Sequence, residues 1–402
     1  MNILSVLLML IISMMSLLCM SCQWLINSGT ETKDSPELLW KSQLSAGEYI
    51  EGVIPPVAHE TGVLTIGSVN TLPVLYFLDR NTGKVLWTWQ EFFKRNESVL
   101  VYRIYKYQNI AVINNSPLMY AIDLGTGNTV WVNSQSKRNR AWVNGYGNLF
   151  LGAVDTNLVT IGSIRNGNQS LINIHMDKVS FTPPQMYIDS ITLDTMLVVT
   201  GSNTYKDSTY QFYFKNYLVL YNLTKKSIEY QTLIREGYST AESGLGGVGR
   251  ECVIYNGRVY IDIGKSIQCH DIKTGKLIWK QTFTSNFYIA SILEADGKII
   301  GNGDDEGIMY ALDPTLGSII WQSKTTTSAS SLLFYMNGIV YMTGSGDGRL
   351  YAIDVKTGKF IWKHSCPDEN GKPGSFTGTV TGDKDRVYVN SFLNIYCYKA
   401  AK

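Results

Sequence analysis

The chain has 402 residues, of which 12% are aromatic and 17% are charged, and its formal net charge is +2 at pH 7. A charge this close to zero gives no electrostatic case for nucleic-acid binding, which depends on a clustered basic surface. An aromatic-rich composition with few charges and only 10 prolines excludes an intrinsically disordered chain and is typical of a β-rich globular protein.

The first 21 residues have the character of an export signal. Residues 3 to 20 are apolar, no acidic or basic residue precedes Cys22, and the small Ser21 stands directly before it. An apolar run that ends in a small residue is typical of a signal peptide, and a cysteine directly after the cut resembles the lipidated residue of bacterial lipoproteins. We therefore predict a lipoprotein-type signal over residues 1–21, a lipid on Cys22 and a linker over residues 22–36. An ordinary secretory signal and an uncleaved anchor are the alternatives, and each of them also exports the rest of the chain.

Five segments downstream share one spacing of residue types. In each of them Asp is followed by Gly at the fourth position and by Trp at the eighth, as in LYAIDVKTGKFIWKH, which begins at Leu350. Two weaker copies keep the spacing of the outer two residues, and they place Asn173 before Phe181 and Asn222 before Tyr230. The five strong sets are Asp79, Gly83 and Trp87; Asp123, Gly127 and Trp131; Asp271, Gly275 and Trp279; Asp313, Gly317 and Trp321; and Asp354, Gly358 and Trp362.

This spacing predicts a β-hairpin. The Asp can accept hydrogen bonds from N–H groups of the turn, and the Gly can adopt the positive φ that closes it. The Trp then places a large apolar face on the outer strand, where it can pack against the next repeat. We therefore predict a structural role for these Asp and Trp residues and no catalytic one.

The repeat period predicts a propeller. Two further strand-like runs precede each hairpin, and the anchor residues recur every 41 to 50 residues, as in four-stranded propeller blades. The chain ends in strands that lack a fourth partner, whereas ELLWKS at its start is an orphan fourth strand that carries Trp40. Pairing the two would close a ring and remove an exposed sheet edge. We predict an all-β fold over residues 37–402, an eight-bladed β-propeller of four-stranded antiparallel blades, in which Trp40 docks blades like the other tryptophans.

The A-x-D-x-x-T-G-K-x-x-W pattern resembles the repeats of the PQQ-like, or quinoprotein-type, propellers, whose Trp residues dock adjacent blades. This family contains both quinone-dependent dehydrogenases and inert scaffolds, so the fold does not decide the function. The resemblance implies that an enzyme of this family would have a disulfide between adjacent cysteines and a calcium site built from carboxylate and amide oxygens. This chain has no adjacent cysteines, and no segment matches the motifs of that site, so we expect no catalytic residue, cofactor or metal.

Other motifs receive structural interpretations. Gly244 to Gly249 fit GxGxxG, but no helix follows them, so a connector between blades is favoured over a dinucleotide site. Asp304, Asp305 and Glu306 predict an acidic hairpin tip and not a calcium loop. The histidines lack metal-ligand spacing. Buried thiols are expected at four cysteines, with one disulfide as the alternative: Cys252, Cys269, Cys366 and Cys397.

One face of the predicted disc carries the unusual segments. In a four-stranded blade the loop between the second and third strands and the connector to the next blade lie on the same face, here named the connector face. Aromatic and basic residues are frequent in three of these loops, one of which is predicted to be an enlarged loop over residues 203–216. Aromatic residues and Arg are enriched at protein interfaces. The alternative is that the loops pack on each other and solvate their charges. The candidate partner face comprises Phe92, Phe93, Lys94, Arg95, Lys137, Arg138, Arg140, Tyr210, Phe212 and Tyr213.

Together these features predict an exported lipoprotein, held in a membrane by its N-terminal lipid, that acts as a monomeric, non-catalytic protein-binding scaffold. By architecture, length and anchor it is similar to the lipoproteins of outer-membrane assembly, which implies the β-barrel assembly machinery as partner and the periplasmic face of the outer membrane as location. The alternatives are a quinone-dependent dehydrogenase that uses the central funnel and a cell-surface lipoprotein that binds polysaccharide or a host protein.

Overall fold

The structure is a computed structural model. It describes residues 26–27, 35–45, 55–70, 72–91, 103–115, 118–134, 143–206, 211–239, 251–284, 286–287, 292–303, 307–325, 332–344 and 346–402. The predicted signal and Cys22 lie outside these ranges, as do the GxGxxG stretch and the acidic run at 304–306. Within them, no helix is both long and apolar enough to cross a membrane.

The strands of the described ranges form eight sheets, numbered here as blades 1 to 8. Two N-terminal strands, β1 Ile26–Asn27 and β2 Leu38–Gln43, precede blade 1. Blades 1 and 2 comprise β3 Val57–Ala58, β4 Gly62–Val69, β5 Leu72–Asp79, β6 Val85–Trp89, β7 Ile104–Tyr107, β8 Ile110–Asn115, β9 Leu118–Asp123 and β10 Thr129–Ser134. Blades 3 and 4 comprise β11 Val143–Tyr146, β12 Leu149–Asp155, β13 Leu158–Ser163, β14 Gln169–Asn173, β15 Ser180–Phe181, β16 Gln185–Ile188, β17 Thr195–Lys206, β18 Phe212–Asn222 and β19 Ser227–Tyr238.

The second half of the chain supplies the remaining four blades. Blades 5 and 6 comprise β20 Val253–Tyr255, β21 Arg258–Ile263, β22 Ser266–Asp271, β23 Leu277–Thr282, β24 Leu293–Ala295, β25 Lys298–Gly303, β26 Ile308–Leu312 and β27 Ile319–Lys324. Blade 7 comprises β28 Phe334–Met336, β29 Ile339–Thr343, β30 Leu350–Asp354 and β31 Phe360–His364, and blade 8 contains β32 Phe376–Asp383, β33 Arg386–Ser391 and β34 Asn394–Lys399.

The blades are arranged around a central channel. First strands of neighbouring blades contact one another, as β7 contacts β11 and β28 contacts β32. Second and third strands are almost entirely buried, whereas fourth strands such as β23 alternate between exposed and half-buried residues. The apolar core therefore lies between the blades, and the outer strands face solvent on one side.

The predicted ring closure is confirmed. Strand β2 pairs antiparallel with β34, so blade 8 has the order β2-β34-β33-β32. The register places Trp40 opposite Cys397, and Lys399 forms an ion pair with Glu37 at 2.9 Å. The eight-bladed propeller is thus closed by strands from both ends of the chain.

An additional strand lies within the predicted linker. Strand β1 pairs in parallel with the outer strand β27 of blade 6, with Ile26 opposite Gln322 and Asn27 opposite Ser323. The N-terminal segment therefore contacts blade 6 before the chain reaches blade 8.

The weak repeat in blade 3 was misassigned. Asn173 ends the fourth strand, and Phe181 belongs to the first strand of blade 4, so the two do not form one hairpin. The turn of blade 3 instead contains Ser163 and Gly167, whose φ is +71°, and exposed Leu171 stands at the position of the Trp. The repeat pattern does not identify this hairpin, because Ser163 and Leu171 stand at the positions of the Asp and the Trp.

Blade 4 departs from the other blades on the connector face. The stretch from Asn203 to Asn216 was expected to be an enlarged loop, but β17 and β18 stay paired from Met196↔Asn222 to Lys206↔Phe212. Strand β17 has 12 residues, whereas the second strands β8, β21 and β25 have 6 each. The extra 6 residues extend the sheet by about 20 Å at ~3.4 Å per residue. We name this extension the tongue; it consists of residues 202–206, 212–217 and 234–238.

Candidate functional site

The repeated Asp residues lie in the turns between third and fourth strands. Asp79 Oδ1 accepts hydrogen bonds from the backbone N–H groups of Asn81 and Thr82 and from the Thr82 hydroxyl. The hydrogen bond from the Thr82 side chain lowers the pKa of Asp79 from its usual value. Turn N–H groups donate equivalent bonds to the carboxylates of Asp123, Asp271, Asp313 and Asp354.

The repeated Trp residues lie at blade interfaces. Trp40 of blade 8 donates its indole N–H to the carbonyl oxygen of Arg80 in blade 1 at 2.9 Å. Its ring covers Gly83, where a Cβ atom would lie 2.5 Å from Trp40 Cε3. The same bond to a turn carbonyl is made by Trp87 to Leu124, Trp131 to Ile164, Trp279 to Pro314 and Trp321 to Val355.

Besides Leu171 of blade 3, two further positions vary this interface. Tyr230 replaces Trp in blade 4, and its ring lies against Gly275 of blade 5. Trp362 faces blade 8, which has no turn between its third and fourth strands because they come from opposite ends of the chain. Trp362 instead belongs to a buried cluster that includes Tyr341 and Ala401.

Most of the predicted partner face falls outside the described residues. This applies to Phe92, Phe93, Lys94, Arg95, Lys137, Arg138, Arg140 and Tyr210. Phe212 and Tyr213 are described, and both lie on the tongue, where Phe212 is 47% exposed.

Three tyrosines form a row across the tongue. Tyr205, Tyr213 and Tyr238 are direct partners on adjacent strands, so their side chains project from one face of the sheet. The ring centroids are 5.5 Å apart for the first pair and 4.9 Å for the second, with interplanar angles of 46° and 78°. Tyr205 is 44% exposed and Tyr238 is 46% exposed. The row is thus a solvent-facing aromatic surface on the connector face.

Charged residues border the row. The Tyr213 hydroxyl donates to Glu236 Oε2 at 3.0 Å, and this bond raises the pKa of Tyr213. Lys215 lies 3.9 Å from the same carboxylate. On the opposite face of the tongue, the Lys206 ammonium lies 5.1 Å from the centroid of Phe212.

The opposite face of the tongue is fixed to the disc. Phe214 is buried, and the Arg235 guanidinium lies 4.9 Å from its ring centroid. A Cβ atom at Gly264, in the second-to-third turn of blade 5, would lie 2.5 Å from Arg235 Nη1. These contacts hold the tongue against blade 5 and leave the tyrosine row facing away from it.

A second candidate site is the mouth of the central channel on the connector face. Arg103 precedes the first strand of blade 2 and forms an ion pair with Glu251, which precedes the first strand of blade 5. Gln185 of blade 4 donates to the other carboxylate oxygen at 3.2 Å, and Arg103 also donates to Asn144 Oδ1 at 2.9 Å. These groups line a cavity of about 520 Å³ whose other walls include Ile254, Ile292, Leu293, Leu332 and Leu333.

The described cysteines and histidines are spread over several blades. The four cysteines in the described residues are buried free thiols, and burial raises the pKa of Cys252, which lines the channel, to about 12. Three described histidines have ring contacts: His59 with Thr61 and Asn109, His270 with Gln268 and Gly275, and His364 with Tyr398. Within the described ranges no three His, Cys, Asp or Glu side chains are grouped so as to hold a metal ion.

Several of these residues could not be assigned to a site from the sequence. Tyr205 and Tyr238 join Tyr213 only through the register of β17, β18 and β19. Arg103 and Glu251 are 148 residues apart in the chain. The one local signal was the high density of aromatic residues around Tyr210.

Comparisons with known proteins agree with the repeat pattern. Residues 232–402 match the family model described as outer membrane protein assembly factor BamB. No curated protein matches the sequence.

Solved structures with the same fold differ in activity. BamB from Moraxella catarrhalis is similar with a TM-score of 0.58 and 12% identity, over 91% of this chain and 100% of that one. The quinohemoprotein alcohol dehydrogenase ADHIIG from Pseudomonas putida HK5 gives a TM-score of 0.61 and 11% identity, over 91% of this chain and 76% of that one. Sqt1 from Saccharomyces cerevisiae gives a TM-score of 0.61 and 12% identity, over 92% of this chain and 100% of that one. At these identities the likeness concerns the fold alone. With its repeats, its eight closed blades and the family match over residues 232–402, the chain is similar to the PQQ-like β-propellers.

Proposed function

We propose that this protein is a non-catalytic, exported scaffold that binds a protein partner through the connector face, and that the partner belongs to the machinery that assembles β-barrels in the outer membrane. The observation that carries the proposal is the tyrosine row Tyr205, Tyr213 and Tyr238 on the tongue. The family match over residues 232–402 supports the choice of partner.

The tongue has the properties of a protein-binding surface. Tyrosine is enriched among residues that contribute most to interface affinity, because it offers a large apolar area and a polar tip at low entropic cost. The row is supported on its rear side, where Phe214 is buried under Arg235 and Arg235 lies against Gly264 of blade 5. Its border carries Lys215 and Glu236, which would supply a polar rim. The rings of the row are tilted relative to one another, so they do not form the flat platform on which a polysaccharide chain could lie, and a protein partner is favoured.

The channel supports a small-molecule function less well. Its volume of about 520 Å³ falls in the range of ligand pockets, roughly 300–1,000 Å³. However, Arg103, Gln185 and Glu251 are bonded to one another across the mouth. A ligand that used these groups would first have to break that ion pair, at the cost of leaving a partly buried charge without its partner. The quinone-dependent dehydrogenase therefore remains the second candidate.

The membrane anchor belongs to the same proposal. A lipid on Cys22 would stand only four residues before Ile26, which pairs with the outer edge of blade 6. Four residues span at most about 14 Å, so this pairing would hold the outer edge of blade 6 close to the membrane.

The partner is tested with tagged full-length protein isolated from detergent-solubilised membranes, with the associated proteins identified by mass spectrometry. A β-barrel insertase recovered in a constant ratio is the expected result. Recovery of the protein alone, or with polysaccharide enzymes, would contradict the proposal.

The binding surface is tested with the double variant Tyr205→Ser and Tyr238→Ser. Loss of interface tyrosines costs about 2 kcal/mol or more, a decrease in affinity of roughly 30-fold. The matched control is Leu277→Ser with Ile278→Ser, which removes two exposed apolar side chains from the outer strand of blade 5. Equal binding by both double variants would exclude the tongue as the partner surface.

The anchor is tested with Cys22→Ser. If Cys22 carries lipid, radiolabelled fatty acid is incorporated into the wild-type protein only, and the variant is recovered in the soluble fraction. Protease treatment of intact cells then distinguishes a periplasmic from a surface location.

A further inference from the structure

A polar cavity lies on the connector face of blade 8, on the opposite side of the ring from the tongue. It has a volume of about 270 Å³ and is lined by Lys41, Gln43, Glu369, Asn370, Leu393 and Asn394. It is formed where the N-terminal strand β2, the β33–β34 turn and the connector from blade 7 meet. This volume is slightly below the roughly 300–1,000 Å³ of pockets for drug-sized ligands, so a smaller molecule would fit.

Glu369 is held in this cavity by a tight hairpin in the connector. The backbone N–H groups of Glu369 and Lys372 donate to each other's carbonyl oxygens at 2.8 and 3.0 Å. Asn370 and Gly371 between them have φ values of +52° and +74°, as in the Asn-Gly turns that close two-residue hairpins. The hairpin directs the Glu369 side chain toward blade 8.

Only one of the two carboxylate oxygens of Glu369 accepts hydrogen bonds from described residues. The residue is 7% exposed, and Oε1 accepts hydrogen bonds from Ser391 Oγ, Asn394 Nδ2 and Tyr396 OH. No described residue donates to Oε2, and this atom is not sealed from solvent. Fixing the connector explains the three bonds to Oε1. The second oxygen, Oε2, is open to solvent and therefore available to a donor from water or from a ligand in the cavity.

The surrounding groups indicate what the donor could be. Lys41 lies 5.2 Å from the ring centroid of Tyr396 and forms no ion pair with Glu369 among the described contacts. One ammonium and one carboxylate leave the lining without net charge, so a purely cationic ligand would be opposed by Lys41 and a purely anionic one by Glu369. The amides of Gln43, Asn370 and Asn394 can both donate and accept. A ligand with several hydroxyl groups satisfies all of these at once, since each hydroxyl donates one hydrogen bond and accepts others.

We infer that this cavity is a binding site for a small neutral polyhydroxylated molecule, of the size of a single sugar ring, with Glu369 Oε2 as acceptor and Lys41 as donor. The site does not depend on the protein partner proposed above, because blades 4 and 8 lie on opposite sides of the channel. Without an exposed aromatic ring in the lining, affinity rests on hydrogen bonds and lies in the millimolar range.

The site is tested by saturation-transfer NMR on the full-length protein with glucose, galactose, mannose and N-acetylglucosamine, and with glycine as a zwitterionic probe. At least one sugar is expected to bind saturably at millimolar concentration. Glu369→Gln keeps an acceptor for the three donors at Oε1 but loses the charged Oε2, and it should weaken binding at least tenfold. Lys41→Gln, which leaves every bond to Glu369 in place, should weaken it severalfold.

Controls separate this site from general effects. Glu60→Gln changes an exposed carboxylate on the other face of the disc and should leave sugar binding unchanged, and thermal unfolding shows whether Glu369→Gln remains folded. Absence of saturable binding for every sugar would overturn the inference, as would binding that both site variants retain. Binding of glycine alone would overturn the assignment to a polyhydroxylated ligand.

Discussion

The indole N–H of Trp40 and the side chain of Arg386 both donate to the backbone carbonyl oxygen of Arg80, the first at 2.9 Å. The Arg80 guanidinium in turn forms an ion pair with Asp383 at 2.7 Å. Trp40 comes from the N-terminal strand of blade 8 and Asp383 and Arg386 from its C-terminal strands. Arg80 of blade 1 thus contacts both halves of the composite blade, and this seam joins the two ends of the chain.

Arg80→Met should destabilise the protein by about 1–3 kcal/mol. The side chains of Arg80 and Asp383 are 16% and 18% exposed, so removing Arg80 leaves the charge of Asp383 partly buried and unpaired. Because solvent still reaches this charge, the loss of stability is smaller than for a fully buried ion pair. The free energy of unfolding is measured in urea. Arg165→Met, at an exposed turn position of blade 3, is the control and should change it by less than about 0.5 kcal/mol. Equal effects would show that the seam contributes no special stability.

Gly127→Ala should be more costly than Gly147→Ala. Both glycines have positive φ, +74° and +56°, so each substitution strains the backbone. Only at Gly127 does the new Cβ also meet a ring, since it would lie 2.7 Å from Trp87 Cδ2, whereas nothing lies within 4 Å at Gly147. The difference is expected to be about 1–3 kcal/mol, measured by chemical unfolding. A similar loss for both would show that the ring moves away without cost.

The fold could be predicted from the sequence because its determinants are local and repeated. Asp79, Gly83 and Trp87 lie within nine residues, and their roles in the turn and at the interface follow from residue type alone. Where the repeat loses these residues, the prediction failed: Leu171 carries no aromatic signal, so Asn173 and Phe181 were matched in its place.

The candidate sites depend on contacts between distant segments and could not be predicted. Glu369 meets Tyr396 only after the connector folds against the β33–β34 turn, and Arg103 meets Glu251 only across the closed ring. The tyrosine row depends on strand register, and one residue of slip would place Tyr213 on the other face of the tongue.

The pairing of β1 with blade 6 can be tested by a disulfide between Asn27→Cys and Ser323→Cys. These residues are direct partners on adjacent strands, and the roughly 5 Å between paired strands permits a disulfide. Mild oxidation should therefore give a cross-linked product, detected by mass spectrometry after proteolysis. Gln281→Cys, at the equivalent position on the outer strand of blade 5, should not cross-link to Asn27→Cys. Cross-linking at both positions would show that the N-terminal segment has no fixed place.

His364→Phe should reduce the dependence of stability on pH. Burial beside Phe376 and Tyr398 lowers the pKa of His364, so the unfolded chain, with a pKa near 6.5, binds the proton first. The stabilising contribution is therefore complete above about pH 6.5 and is lost as the pH falls toward the pKa of the folded state, with a slope of at most about 1.4 kcal/mol per pH unit. Urea unfolding at a series of pH values between 5 and 8 measures this slope. In His364→Phe the slope of the unfolding free energy against pH should decrease by this contribution. The control is His175→Asn, at an exposed position with a φ of +47°, which should change the slope less than His364→Phe does. An unchanged slope in His364→Phe would show that this residue does not couple protonation to folding.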